Sequence, residues 1–268
     1  MNNLRIVEIE LFSYCNRTCS WCPNSFIDRS SENHYLGREV LEKLIKELYE
    51  NKFHGVFSFS RYNEPFSDLE TLNSSIDFIK SYFPNNKMVT NTNSDFITKE
   101  VISKMKIDEL TIMDYDCRGK DFVYEKMKSF DLNEIVEYNN YFIGYYKNKT
   151  ILYYYSWPKT GLISDRGGSL SRYSKFVRET PCYEPFYFIG INYDGTVSPC
   201  CNIRNDIQKE FILGDLHDSS LKDILNSDKF IDFKNKISKA NYTKDMPCYY
   251  CNNGGGRYTR KKGGILYE

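Results

Sequence analysis

The chain has 268 residues, enough to bury the core of one large domain or of one domain with a small appendage. Its 36 basic and 36 acidic residues cancel, which argues against a polyanion-binding surface and hence against nucleic acid as a partner. There is no run of about 18 apolar residues, and Met1-Asn2-Asn3-Leu4-Arg5 lacks the basic-then-apolar build of a signal peptide, so the expectation is a cytoplasmic protein without membrane contact. In a reducing compartment its nine cysteines are poor candidates for a disulfide framework and better ones for metal ligands or reactive thiols.

In chain order, residues 4–12 alternate apolar and charged side chains, the period of a strand. A cysteine-rich loop, Ser13 to Asn24, follows its carboxyl end. Leu36, Val40, Leu41, Leu44, Ile45 and Leu48 recur at helical spacing, and residues 55–60 form a second strand. Ser67-Asp68-Leu69-Glu70 has the capping-box form and opens a helix to about Tyr82, before a short strand over 87–91. A weaker helix is expected over 99–105, a strand over 109–113, a helix over 122–130, and strands over 133–138 and 151–156. Strands alternating with helices imply parallel β/α units, here six, which is a partial barrel whose active site lies on loops at the carboxyl ends of the strands.

The pattern changes near Pro158-Lys159-Thr160-Gly161 and Asp165-Arg166-Gly167-Gly168-Ser169, where a domain junction is placed. Beyond it, residues 186–192 and 196–198 flank Tyr193-Asp194-Gly195 as a hairpin, and a helix is expected over 221–237. The sequence thus divides into a barrel core (1–160), a small hairpin-plus-helix unit (161–253) and a basic, Gly-rich tail (254–268).

Cys15, Cys19 and Cys22 stand at spacings of four and three on one loop. Three soft ligands so close together suit an iron–sulfur cluster better than zinc, which wants a fourth ligand; a zinc knuckle and unrelated buried thiols are the alternatives. Cys182 precedes the predicted hairpin, Cys200 follows it, and Cys248 and Cys251 lie beyond the helix, so one small fold gathers four thiols. Four such ligands can hold zinc or a four-iron cluster, and spacing alone favours zinc.

The loop Cys15-Asn16-Arg17-Thr18-Cys19-Ser20-Trp21-Cys22-Pro23-Asn24 resembles the cluster loop of the radical S-adenosylmethionine (SAM) enzymes, and the four late cysteines resemble the Twitch form of the SPASM auxiliary-cluster unit. Tyr62-Asn63-Glu64-Pro65, Thr92-Asn93-Ser94-Asp95-Phe96 and Arg166-Gly167-Gly168 extend the likeness to aminocyclitol-oxidising members over nearly the whole chain. The resemblance implies two 4Fe-4S clusters, one held by Cys15, Cys19 and Cys22 with an iron left open for SAM, the other by Cys182, Cys200, Cys248 and Cys251. It places Trp21, Asn63, Glu64 and Asn93 around SAM, with Glu64 on its amino group, and turns Arg166 toward the substrate. An arginine followed by two flexible glycines offers a rigid donor fork to hydroxyls or a carboxylate.

The implied activity is reductive cleavage of SAM to a 5′-deoxyadenosyl radical, hydrogen abstraction, and oxidation of a carbinol in a sugar- or aminocyclitol-like molecule with the auxiliary cluster as electron acceptor. A flavodoxin- or ferredoxin-type protein would supply the first electron. Two cysteines remain, Cys117 and Cys201, and either is a candidate hydrogen-atom donor if the reaction is instead an epimerisation. A maturase acting on a ribosomal peptide, and a zinc-binding module without catalysis, are the further alternatives.

Overall fold

The computed structural model describes residues 3–155, 165–173 and 177–251. Its strands in chain order are β1 (Ile6–Ile9), β2 (Val56–Ser58), β3 (Met88–Thr92), β4 (Glu109–Met113), β5 (Glu134–Glu137), β6 (Tyr141–Tyr146), β7 (Lys149–Tyr154), β8 (Phe188–Ile191), β9 (Thr196–Ser198) and β10 (Gly214–Asp215). They form one sheet in the order β10-β9-β8-β1-β2-β3-β4-β7-β6-β5. The six strands from β8 to β7 run parallel, and antiparallel hairpins extend the sheet at both ends.

The helices α1 (Arg38–Glu50), α2 (Leu69–Tyr82), α3 (Lys99–Lys104) and α4 (Lys120–Lys128) lie between the strands in sequence. Val40, Leu44 and Leu48 of α1 and Leu72, Ile76 and Ile79 of α2 join Val7, Ile9, Phe57 and Ile112 of the strands in one core. The caps are local chemistry: the Asp68 carboxylate accepts from Thr71 N and the Thr98 hydroxyl from Val101 N.

The fold is the expected partial barrel followed by a hairpin-and-helix unit, with a different allocation of strands. The strand expected over 133–138 is β5, the outer member of an antiparallel hairpin with β6. β6, Tyr-Phe-Ile-Gly-Tyr-Tyr, escaped notice because it lacks a clean apolar alternation. β7, expected as a sixth barrel strand, takes the fifth parallel position on β4, and the sixth is β8, the first strand of the expected auxiliary hairpin, which lies parallel to β1. The barrel core and the auxiliary unit therefore share one sheet.

The charged positions of β1 are a second departure. Charged strand positions are ordinarily solvated, yet Glu8 and Glu10 are 6% and 0% exposed. They point to the concave side, where arginines meet them: Arg61 Nη1 lies 3.2 Å from Glu8 Oε2, and a Cβ at Gly190 would collide with the Arg61 guanidinium. The helix expected over 221–237 is two helices, α6 (Leu221–Asn226) and α7 (Asp228–Ser238), following a short α5 (Glu184–Tyr187). Ser227 is extended (ψ 147°) and caps α7 by accepting from Phe230 N. The junction segment 156–164 and the tail 254–268 lie outside the described residues.

Candidate active site

Because β1 to β4 are parallel, the loops that follow them share one face of the sheet. The loop after β1 carries Cys15, Cys19 and Cys22, all half-buried. Burial, reinforced by Glu64 and the other two thiols, pushes Cys15 up to about 12; burial and Cys22 push Cys19 up to about 11. Thiols crowded this way ionise readily only against a compensating cation, as metal ligands do.

The loop is anchored by its own Arg17, whose Nε and Nη2 donate to Asp95 (2.6 and 2.5 Å) after β3. Arg17 Nη1 and Nη2 also donate to Asp116 (3.0 and 3.1 Å) after β4. Asn16 Nδ2 donates to Asp95 as well, at 2.7 Å. One guanidinium fork thus ties three loops together.

Glu64 sits after β2 and is 2% exposed. Its Oε1 accepts from Phe66 N (3.2 Å) and Thr92 Oγ1 (2.6 Å), and its Oε2 from Asn93 N (2.9 Å). Burial wins over these bonds and raises its carboxyl to about 7. A carboxylate has about four acceptor directions, so one remains for an ammonium group. Asn63 accepts from Arg61 N through Oδ1, while its buried Nδ2 has no protein partner and is open to a ligand. Asn93 is already engaged: Nδ2 donates to Asn16 Oδ1 (2.9 Å) and Oδ1 accepts from Asp95 N (2.9 Å), which makes it a brace for the cluster loop. Trp21 packs against Tyr115, ring centroids 6.0 Å apart. Three thiols, a buried carboxylate and an orphaned amide donor fit a cluster with a zwitterionic ligand beside it.

The second thiol group also converges. Burial pushes Cys200 well above the usual thiol range, with Cys201, Cys248 and Cys251 adding to it; burial, Cys251 and Cys182 do the same for Cys248. Arg178, which sequence reasoning missed, brings a positive charge to Cys182 and Cys248, and its Nε donates to the Cys251 carbonyl at 3.4 Å. Among the described residues no three His, Cys, Asp or Glu side chains are arranged to hold a single metal ion.

Arg166 is within electrostatic reach of both sides of the site. It is electrostatically coupled to Tyr62, Cys22, Cys201 and Tyr115, and its guanidinium is 5.9 Å from the Tyr62 ring. Its chain is left-handed for three residues: Arg166, Gly167 and Gly168 have φ of 52°, 62° and 78°. A Cβ on Gly167 would stand 3.0 Å from the Asn202 carbonyl, so the loop is pressed onto the segment that bears Cys200. Cys201 is 8% exposed and packs on Ile6 and Phe188. Cys117 sits half-buried in a left-handed turn after β4 (φ 55°).

The polar residues that join the two thiol groups gave no motif in the sequence. Arg204 is 1% exposed; its Nη1 donates to Asn24 Oδ1 at 2.9 Å and its guanidinium lies 4.1 Å over the Tyr62 ring. Only an arginine spaced four residues from Cys200 hinted at it.

Residues 182–252 match the SPASM family, an iron–sulfur cluster-binding domain, and all four late cysteines fall inside that span. The match weighs against a zinc centre there. The chain is 24% identical over 254 residues to the S-adenosyl-L-methionine-dependent 2-deoxy-scyllo-inosamine dehydrogenase of Niallia circulans, covering 92% of each chain. In fold it is similar to BtrN in complex with AdoMet and 2-DOIA (TM-score 0.69, 22% identity, 94% of both chains). It is also similar to anSMEcpe with bound AdoMet (TM-score 0.51, 16% identity, 88% of this chain and 81% of that one). No helix among the described residues is long and apolar enough to cross a membrane.

Proposed function

We propose that this chain is a radical SAM dehydrogenase that oxidises a carbinol of an aminocyclitol or a similar small polar molecule. The observation that carries it is Arg166, which is within electrostatic reach of Cys22 of one thiol group and of Cys201 beside the other, on a loop pressed against the Asn202 carbonyl. When bound, SAM and the two clusters supply a 5′-deoxyadenosyl radical that takes one hydrogen atom and an acceptor for the single electron left behind. Cys15, Cys19 and Cys22 hold the first cluster, and Cys182, Cys200, Cys248 and Cys251 the second. Glu64 and Asn63 receive the polar end of SAM, and Trp21 lines the loop beside it.

Arg166 orients the substrate. Its fork donates to hydroxyls, and a positive charge near the carbinol favours loss of the hydroxyl proton, which must leave with the electron for a carbonyl to form. The named activity of the 24%-identical relative, a dehydrogenase of 2-deoxy-scyllo-inosamine, supports this substrate class. A flavodoxin- or ferredoxin-type donor in a reducing cytoplasm would deliver the initiating electron.

Anaerobic purification with iron and sulfide tests the reading: about eight irons per chain are expected from two four-iron clusters. A panel of aminocyclitols with SAM and a reductant should then give 5′-deoxyadenosine and ketone in equal amounts. A colourless protein holding zinc would refute the cluster assignment. Epimerisation is a second reading, supported by the coupling of Cys201 to Arg166, and inversion without ketone would establish it.

A further inference from the structure

Oxidation by this route needs two events in register: abstraction at the first thiol group and electron removal at the second. Between them lies a closed ring of five side chains and the Tyr62 main chain, half-buried at Asp206 and buried elsewhere. Glu10 Oε1 accepts from Arg29 Nη1 (3.3 Å) and from Tyr62 N (3.2 Å). Arg29 Nη2 donates to Asp206 Oδ2 (3.1 Å), and Asp206 accepts from Arg204 Nε and Nη2 (2.7 and 2.5 Å). Arg204 Nη1 donates to Asn24 Oδ1 (2.9 Å), and Asn24 Nδ2 donates to the Tyr62 carbonyl (2.8 Å), which closes the ring. Glu10, Asn24, Arg29, Tyr62 and Arg204 are each no more than 5% exposed.

The ring touches both ligand segments. Asn24 stands two residues after Cys22, and the Cys15 amide donates to the Arg29 carbonyl at 2.9 Å. On the other side the Tyr62 hydroxyl donates to the carbonyl of Cys201, next to Cys200, at 2.9 Å. Tyr62 thus bonds to one ligand segment through its main chain and to the other through its ring hydroxyl, with the Arg204 guanidinium stacked on the face between.

We propose that the ring of Glu10, Arg29, Asp206, Arg204, Asn24 and Tyr62 is a positioning device that locks the segment bearing Cys200 onto the loop bearing Cys22, and so keeps hydrogen abstraction coupled to electron removal. The coupling part of this rests on the dehydrogenase reading; the lock does not. A half-satisfied buried network is worse than none, and the neighbours complete this one: Tyr193 N donates to Glu10 Oε2 at 3.4 Å and Arg29 Nη1 also donates to the Ser13 carbonyl at 3.2 Å.

Two variants test it in the anaerobically reconstituted holoenzyme. Tyr62→Phe removes one hydroxyl and keeps the ring under Arg204; Arg204→Lys keeps a charge for Asp206 and loses the bond to Asn24. Backbone hydrogen exchange over residues 200–208 should quicken about fivefold in Tyr62→Phe, the Boltzmann weight of one ordinary hydrogen bond, and more in Arg204→Lys. Exchange in β2 and β3 should not change. The ratio of 5′-deoxyadenosine to ketone should rise above its wild-type value in both, whereas a merely structural role would lower both products together. Unchanged exchange over 200–208 in both variants overturns the lock, and faster exchange at an unchanged product ratio overturns the coupling. If Arg204→Lys fails to fold, Tyr62→Phe alone decides. A wild type that yields no ketone from any aminocyclitol refutes the dehydrogenase reading and the coupling with it, and the exchange result still decides the lock.

Discussion

Glu64 offers a sharp test of the electrostatics at the loops proposed to face SAM. Its ordinary carboxyl value of 4.5 rises to about 7 in the folded chain because burial outweighs three accepted hydrogen bonds. Between those two values the native state holds a proton that the unfolded state has lost, so stability falls as pH rises through the window and levels off above about 7. At about 1.4 kcal/mol per pH unit, the full loss is about 3 kcal/mol, an upper bound. Glu64→Gln imitates the protonated carboxyl and should remove the effect. In urea denaturation of the anaerobic, cluster-free and SAM-free protein, wild type and Glu64→Gln should be equally stable near pH 5, and the variant more stable by about 3 kcal/mol near pH 8. A stability gap that is the same at both pH values refutes the reasoning. In the loaded enzyme an ammonium group on Glu64 would restore its charge, so the same variant should weaken SAM binding while stabilising the empty chain.

Arg17→Ala should loosen the loop of Cys15, Cys19 and Cys22; its pairs with Asp95 and Asp116 are partly exposed and worth about 1 kcal/mol each, so faster iron loss to a chelator, with SPASM-segment iron retained, is the expected readout. Cys201→Ala should cost about 1 kcal/mol from lost packing on Ile6 and Phe188 and leave ketone formation intact; loss of product after normal 5′-deoxyadenosine release would instead assign Cys201 as hydrogen donor. Gly167→Ala places a Cβ at φ 62° and 3.0 Å from the Asn202 carbonyl, and should lower thermal stability by about 1–2 kcal/mol and raise KM more than it lowers kcat.

What the sequence revealed and what it hid divide along a physical line. Ligand chemistry is local: thiols at spacings of four and three announce a metal loop without any knowledge of the fold, and Asp194-Gly195 announces its hairpin because Gly195 takes φ 81°. Helix faces and caps are local too, which is why α1 and α2 were legible from their apolar spacing. Strand partnership is not local. Nothing in Phe188–Ile191 states that it will lie parallel to β1, 182 residues upstream by the Ile6 to Phe188 pairing, and so the auxiliary hairpin was legible as a hairpin and illegible as part of the barrel sheet.

The same division explains the polar ring. Each member alone has an ordinary solvated explanation: Glu10 a strand's outer charge, Arg29 and Asp206 loop residues, Arg204 a surface cation. Burial overturns this for Glu10, Arg29 and Arg204, with Asp206 half-buried beside them, and it follows from β1 lying inside the sheet between β8 and β2 with Glu8 and Glu10 on one face. Once two carboxylates are enclosed there, the arginines are required, because an unpaired charge at that depth costs several kcal/mol. Arg61 answers Glu8, Arg29 answers Glu10, and Arg204 answers Asp206. Arg29 and Arg61 come from loops of the barrel core, Arg204 and Asp206 from the loop after β9; each set is balanced within itself, and the Arg29–Asp206 pair at 3.1 Å joins the two. Neutralising Glu10 with Gln should therefore weaken the hold of the auxiliary loop as well as the barrel interior, and faster exchange at residues 200–208 in that variant is the sign that the two are one electrostatic unit.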